Sequence, residues 1–132
     1  MANTTVPKPW GEEIILTTPD LPYTAKILKI RSGHKLSLQY HDQKTETLCL
    51  ISGQCQMISG PNVHSLQTQD MISHQGYLIT PNTVHRLIAV TDCLLVEAST
   101  PEIGTTFRLE DDYQRPNETP EVRDLPNRQH AQ

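Results

Sequence analysis

The sequence predicts an all-β sandwich or barrel, and three observations carry that prediction. No segment sustains an apolar i, i+3, i+4, i+7 pattern, so no long amphipathic helix is signalled. Short runs rich in β-branched residues recur along the chain instead. Turn residues punctuate them, with ten prolines and six glycines in 132 residues. Many short strands at this spacing argue two packed sheets or a closed barrel, forms that manage their own edges.

In order, the runs are EIILTT (13–18), TAKILKIR (24–31), KLSLQY (35–40), TLCLIS (47–52), QCQMIS (54–59), GYLIT (76–80), HRLIAV (85–90) and CLLVEAS (93–99). The separators are Ser-Gly at 32–33, Asp-Gln-Lys-Thr at 42–45, Ser-Gly-Pro-Asn at 59–62, Pro-Asn at 81–82 and Thr-Asp at 91–92. Residues 100–113 have room for one helical turn. Residues 114–132 carry three prolines and almost no apolar side chains, and are expected to be disordered or draped on the surface. The organisation expected is one domain over 1–113 followed by a Pro-rich tail over 114–132.

Composition excludes several classes. The net charge is −4, with no basic run, which leaves no electrostatic footprint for nucleic acid. Aromatic residues make up 5%, too few for a base-stacking platform. No apolar stretch approaches the ~20 residues of a membrane span. The start, MANTTVPKPWGEE, lacks the basic-then-apolar order of a signal peptide. Cys49, Cys55 and Cys93 are an odd, unclustered set and read as reduced thiols. A cytoplasmic protein is expected.

The informative stretch is GHKLSLQYHDQKTETLCLISG, Gly33 to Gly53. Strand side chains alternate between faces. From Lys35 to His41 the odd positions are Lys, Ser, Gln and His, and the even ones Leu36, Leu38 and Tyr40. The polar face meets either solvent or the lumen of a barrel; if the lumen, the apolar trio is an outer face needing cover. After the polar turn, Glu46 shares parity with Leu48 and Leu50. A carboxylate on an apolar face is costly unless compensated. A cation held by Gln39, His41 and Glu46 would compensate it. His85, after the Pro-Asn turn, offers a fourth ligand, with Asn82 suited to a left-handed backbone. Such a nitrogen and oxygen set suits one divalent ion: zinc, manganese, iron, nickel or cobalt.

With these residues in place the chain resembles the cupin superfamily. Gly33, Gln39, His41, Glu46 and Gly53 have the spacing of the first cupin motif, with Gln in place of the commoner first His. TPNTVH resembles the second motif, with Thr80 at its Pro position and Asn82 at its Gly position. KPWGEE, LSLQYH, HRL and FRLEDDYQR look like the C-terminal cupin domain of the type II mannose-6-phosphate isomerases, over roughly residues 8–115. The resemblance implies a jelly-roll β-barrel, a metal on Gln39, His41, Glu46 and His85, and a sugar or sugar-phosphate isomerase-like activity. Small cupins of this kind are usually homodimers, often exchanging an N-terminal strand, for which EIILTT is suited. This chain departs from the family in reading Asp42, Gln43, Lys44 and Thr45 between its ligand His and Glu, with Lys44 near the place of an arginine, and HRLIA where HRLxN is usual.

Aldose–ketose isomerisation needs a base. Lys44 is one candidate, if burial lowers its pKa. Glu97 is the other, alternating with Val96 and Ala98 and expected inside the barrel, with Leu95 off its face. Lys35, Arg86 and Arg115 are available to a phosphate. Arg86 is expected to pair instead with the Glu110–Asp112 run, and Arg115 to anchor the chain end. His34 and His64 are expected at exposed turns, His74 near the second motif, and Trp10 packed on the barrel. Two alternatives stand beside the isomerase: a non-catalytic metal- and saccharide-binding cupin, and a metal-dependent oxygenase on the same barrel.

Overall fold

The computed structural model describes residues 3–123. Eleven strands run β1 (Thr4–Lys8), β2 (Gly11–Ile15), β3 (Thr24–Ile30), β4 (Leu38–His41), β5 (Glu46–Ser52), β6 (Cys55–Gly60), β7 (Gln67–Asp70), β8 (Gly76–Ile79), β9 (Val84–Ala89), β10 (Cys93–Ser99) and β11 (Thr106–Glu110). One short helix, α1 (Pro120–Arg123), follows. The strands form two sheets, ordered β1-β2-β3-β10-β5-β8 and β11-β4-β9-β6-β7. Every named pairing is antiparallel. The jelly-roll expectation holds, and no helix among the described residues exceeds α1.

Each of the eight runs read from the sequence overlaps a strand. Three further strands lay hidden. β7 (QTQD) is exposed throughout and has no apolar alternation to betray it. β1 carries Pro7, which an edge strand tolerates because one side of it makes no ladder bonds. β11 occupies the segment where a helical turn was expected; its Thr106–Glu110 residues pair with β4.

The core lies between the sheets. Trp10, Leu28, Ile30, Leu36, Leu48, Leu50, Met57, Ile79, Leu87 and Leu95 are all buried in one cluster. Burying such side chains is worth about 1.5–3 kcal/mol each. Trp10 packs on the barrel as expected. Its β1–β2 hairpin pairs within the chain onto β3.

The simple alternation read from Lys35 to His41 breaks. Lys35 bridges Ile88, and Gln39 pairs with His85. Four steps along one strand therefore meet three along the other, which is a bulge. Such an extra residue shifts the facing of everything beyond it. Leu36 thus joins the core while Gln39 and His41 also point inward. The expected outer face of Leu36, Leu38 and Tyr40 does not form. Leu36 and Leu38 are buried, and Tyr40 stacks on Phe107 of β11 at 4.8 Å between centroids. The homodimer expectation loses that premise.

Over its described length the tail lies along the surface and is fastened at Glu118, its one buried residue there. Thr106 and Glu118 exchange backbone hydrogen bonds of 2.8 and 2.9 Å. The Glu118 side chain is buried between Arg108 (3.6 Å) and Arg123 (3.3 Å). The expectation for 124–132 lies outside the described residues. All three cysteines are free thiols. Among the described residues no helix is long and apolar enough to cross a membrane.

Candidate metal centre

Three strands and one turn assemble the site. His41 ends β4, Glu46 opens β5 and His85 lies on β9. The turn before β9 is fixed locally. Asn82 takes φ 66°, as its place in the motif suggested. Its N–H donates to the His41 carbonyl at 2.7 Å, tying the two histidine segments together. In the β4–β11 register Thr106 sits opposite His41, and its hydroxyl is 2.7 Å from His41 Nδ1. His85 Nδ1 lies 2.9 Å from the Thr83 carbonyl. A carbonyl only accepts, so His85 Nδ1 carries the proton and Nε2 presents a lone pair.

Both Nε2 atoms turn inward to Glu46. His41 Nε2 is 3.7 Å from Glu46 Oε2, and His85 Nε2 is 3.5 Å from Oε1. One ligand atom from each of the three residues falls within 4.8 Å of the others. Two ligands about 2.1 Å from one tetrahedral ion stand about 3.4 Å apart, close to these separations. Both Nε2 atoms and both Glu46 oxygens are buried and lack a hydrogen-bond partner. Two buried imidazole nitrogens without a hydrogen-bond partner, facing a carboxylate whose further contact is the Lys44 ammonium, fit an ion, since such groups are otherwise almost always paired. Gln39 is buried on the same face, paired in register with His85, and its Oε1 accepts from the Ser37 hydroxyl at 2.7 Å. The second lone pair of that oxygen is available to an ion.

The site continues into a buried ionic network. Lys44 Nζ lies 3.1 Å from Glu46, 3.2 Å from Glu97 and 3.2 Å from Glu102. Lys26 Nζ lies 2.5 Å from Glu102 and 2.5 Å from Glu13, and Lys8 lies 3.3 Å from Glu13. Glu13, Glu46, Glu97 and Glu102 thus alternate with Lys8, Lys26 and Lys44 in one buried network.

The environments set the charges. Burial lowers the His41 pKa to about 3, with the Lys44 charge acting the same way. Burial opposes ionisation of Glu46, yet Lys44 and the two histidines outweigh it and hold the carboxyl well below its usual range. Burial also works against the Lys44 ammonium, but Glu102, Glu97 and Glu46 overcome it and push the pKa well above normal. The carboxylates around Lys44 thus act against the lowering that burial alone would give. Glu97 is pushed up to about 7, chiefly by burial. It faces inward as expected, but Leu95 shares its face, because residues two apart on a strand point the same way.

The other candidates serve structure. Arg86 donates to the Leu36 carbonyl and pairs with Glu110 at 3.0 Å, the partner expected for it. Arg115 pairs with Asp111 at 3.0 Å, and Lys35 lies 3.6 Å from Asp112. His34 is half-buried, against expectation, with Nδ1 2.8 Å from the Tyr113 hydroxyl. His64 and His74 are exposed.

Lys26 and Glu102 escaped the sequence reading. Lys26 had a signal: it shares parity with Leu28 and Ile30, as Glu46 does with Leu48 and Leu50. Glu102 had none, since it lies in a loop with no periodicity.

A profile of the family described as "Mannose-6-phosphate isomerase C-terminal" matches residues 1–118. A search of the curated proteins returns no match. Among solved structures, the capsular polysaccharide assembling protein CapF from Staphylococcus aureus superposes with TM-score 0.64 at 15% identity, over 90% of this chain and 32% of CapF. Oxalate decarboxylase from Lactobacillus farciminis gives 0.67 at 15% identity, over 81% of this chain and 33% of that one. KdgF from Halomonas sp. gives 0.61 at 16% identity, over 78% of this chain and 90% of KdgF. The chain spans about a third of the length of CapF and of the decarboxylase. At these identities the likeness is one of fold.

Proposed function

The chain belongs to the mannose-6-phosphate isomerase C-terminal family of cupins, and from that premise we propose that it is a metal-dependent, isomerase-like protein acting on a sugar or sugar phosphate. One observation carries the reading. His41, Glu46 and His85 direct buried ligand atoms at a common point inside the barrel, the two imidazole Nε2 atoms without a hydrogen-bond partner, with Gln39 on the same face.

His41, Glu46, His85 and Gln39 would hold the ion, and Thr106 and Thr83 orient the two imidazoles through their Nδ1 atoms. A divalent ion there supplies polarisation of a sugar carbonyl and its neighbouring hydroxyl. Glu97 is the base. As a carboxylate it takes the proton from the carbon beside the carbonyl and returns it to the former carbonyl carbon, while the hydroxyl proton passes between the two oxygens. A base whose pKa is near 7 is matched to that shuttle. Lys44 stays protonated and keeps Glu97 and Glu46 in place.

The test combines metal analysis of the purified protein with ¹H NMR of mannose 6-phosphate and fructose 6-phosphate. We expect one divalent ion per chain and interconversion that stops in Glu97→Gln. Metal bound with no turnover on any hexose or hexose phosphate would overturn the enzymatic part and leave the binding-protein reading. Oxygen-dependent turnover with bound iron would move it to the oxygenase.

A further inference from the structure

The metal ligands are deeply buried: Gln39, His41, Glu46 and His85 are each at most 3% exposed. Next to them lies a cavity of about 580 Å³, whose wall includes Lys26, Glu102, Thr17, Thr24 and Arg123. Glu102 and then Lys44 link the two. Glu102 borders the cavity and also touches Lys44, which in turn touches Glu46.

The Glu102 contact has the form of an anion site already filled. A single oxygen, Oε1, lies 2.5 Å from Lys26 Nζ and 3.2 Å from Lys44 Nζ. Both ammonium groups are 1% exposed, built into β3 and the β4–β5 turn, and the carboxylate reaches them from a loop. That loop is fastened at its two ends. Thr100 N–H donates to the Thr45 carbonyl at 3.0 Å, and Thr105 N–H donates to Asp42 Oδ1 at 2.7 Å. Between these anchors, among the described residues, it is held by the Glu102 ion pairs and by Arg123 donating to the Gly104 carbonyl. Gly104 takes φ 67°, and Ile103 faces solvent at 40% exposure.

We propose that Glu102 is an internal plug in an oxyanion site made by Lys26 and Lys44, and that the anionic group of a substrate, a phosphate or a carboxylate, enters from the cavity and displaces it. The proposal deepens the reading above, on which it rests for the sugar. Displacement exchanges one anion for another between the same two cations, so neither lysine is left buried without a partner. It also sets the incoming anion against Lys44, which lies 3.1 Å from Glu46. A neutral sugar cannot make that exchange, so the plug selects charged ligands.

Calorimetric titration of the metal-loaded protein with inorganic phosphate tests it. Removing the competing carboxylate in Glu102→Gln should tighten phosphate about tenfold, equivalent to about 1.4 kcal/mol. Glu102→Asp, which keeps the charge on a shorter arm, should tighten it less. Adding Lys44→Met to Glu102→Gln should abolish the gain. Mannose 6-phosphate and glucuronate distinguish the source of the oxyanion by which binds tighter, and uncharged mannose should not respond to the substitutions. Unchanged or weaker phosphate binding in a folded Glu102→Gln or Glu102→Asp protein overturns the plug. If neither variant folds, the wild-type Ile103 methyl signal decides: a saturable shift with phosphate supports the plug, and no shift overturns it. Repeating the titration with metal removed separates the two proposals, because phosphate binding to Lys26 and Lys44 survives even where isomerisation is never seen.

Discussion

Along β10 the inward side chains are Cys93, Leu95 and Glu97; along β3 they are Ile30, Leu28 and Lys26. Along β5 they are Leu50, Leu48 and Glu46, and along β9 Ala89, Leu87 and His85. Each strand therefore changes from hydrocarbon to charge partway along, and the pairing register aligns the changes into two ends of one interior. The apolar end gains free energy in proportion to area removed from water. The ionic end has no such source. Its charges lose hydration, and even well-placed partners return about what that costs. One end holds the barrel together and the other is carried by it for its chemistry.

The largest effect should come from removing an imidazole. His41→Ala or His85→Ala deletes one of three converging ligands, and loss of an outer hydrogen bond alone commonly costs about 10–100-fold in metal affinity. We expect more than that, with the metal-free melting temperature little changed, read by calorimetry and thermal denaturation. Full metal occupancy in His41→Ala would detach the ionic end from metal binding.

Next in size is a matched pair on β10. Leu95→Ala at the apolar end should cost about 2–5 kcal/mol in denaturant unfolding. Glu97→Gln, one inward position along, keeps shape and removes only a charge that burial already disfavours. It leaves Lys44 paired with Glu46 and Glu102, so it should cost less than the ~3–5 kcal/mol of breaking a buried pair outright, while abolishing turnover. Equal losses of stability from the two would show that both ends hold the fold.

The sequence disclosed these two ends unequally. Period-two alternation exposed Glu46 and His41, because a polar residue in phase with leucines is conspicuous. The same rule applied to TAKILKIR marks Lys26, and applied to CLLVEAS it places Leu95 with Glu97. It failed from Leu36 to Gln39, where a bulge resets the phase without a glycine to announce it. It could not reach Glu102, whose partners Lys26 and Lys44 lie 76 and 58 residues away along the chain. β11 was missed for a similar reason: Thr106 matters because it stands opposite His41, and that register belongs to the assembled sheet.

A smaller effect lies in pH dependence of the metal-free protein. Folded His41 titrates at about 3 against an ordinary 6.5, so below pH 6.5 the unfolded chain takes up a proton that the folded one refuses. Its contribution is lost as pH falls from there. Glu97 acts oppositely. Raised from 4.5 to about 7, it holds a proton in the fold that the unfolded chain releases, so stability rises as pH falls from about 7 to 4.5. Each slope approaches about 1.4 kcal/mol per pH unit, and the two offset one another between them. Glu97→Gln removes one side of that balance. In chelator, its stability should decline more steeply below pH 6.5 than that of wild type, measured by denaturant midpoints. Parallel profiles would mean that the ionic end titrates as one unit.

The smallest effect is expected at Gln39. It is the neutral member of the proposed ligand set, and an amide oxygen is a weaker donor than an imidazole nitrogen. Gln39→His places the stronger ligand at a position that already faces inward, opposite His85 in register. The Ser37 hydroxyl, 2.7 Å from Gln39 Oε1, is placed to hold an imidazole nitrogen there as Thr106 holds His41. Metal affinity should therefore be kept or raised, by less than about tenfold, the equivalent of 1.4 kcal/mol. Gln39→Ala is the companion measurement. It removes the donor without offering another, so affinity should fall, though less than in His41→Ala. Affinity unchanged in Gln39→Ala would remove Gln39 from the ligand set and leave His41, Glu46 and His85 as the whole of it, with Ser37 and Gln39 joining the structural side of the boundary.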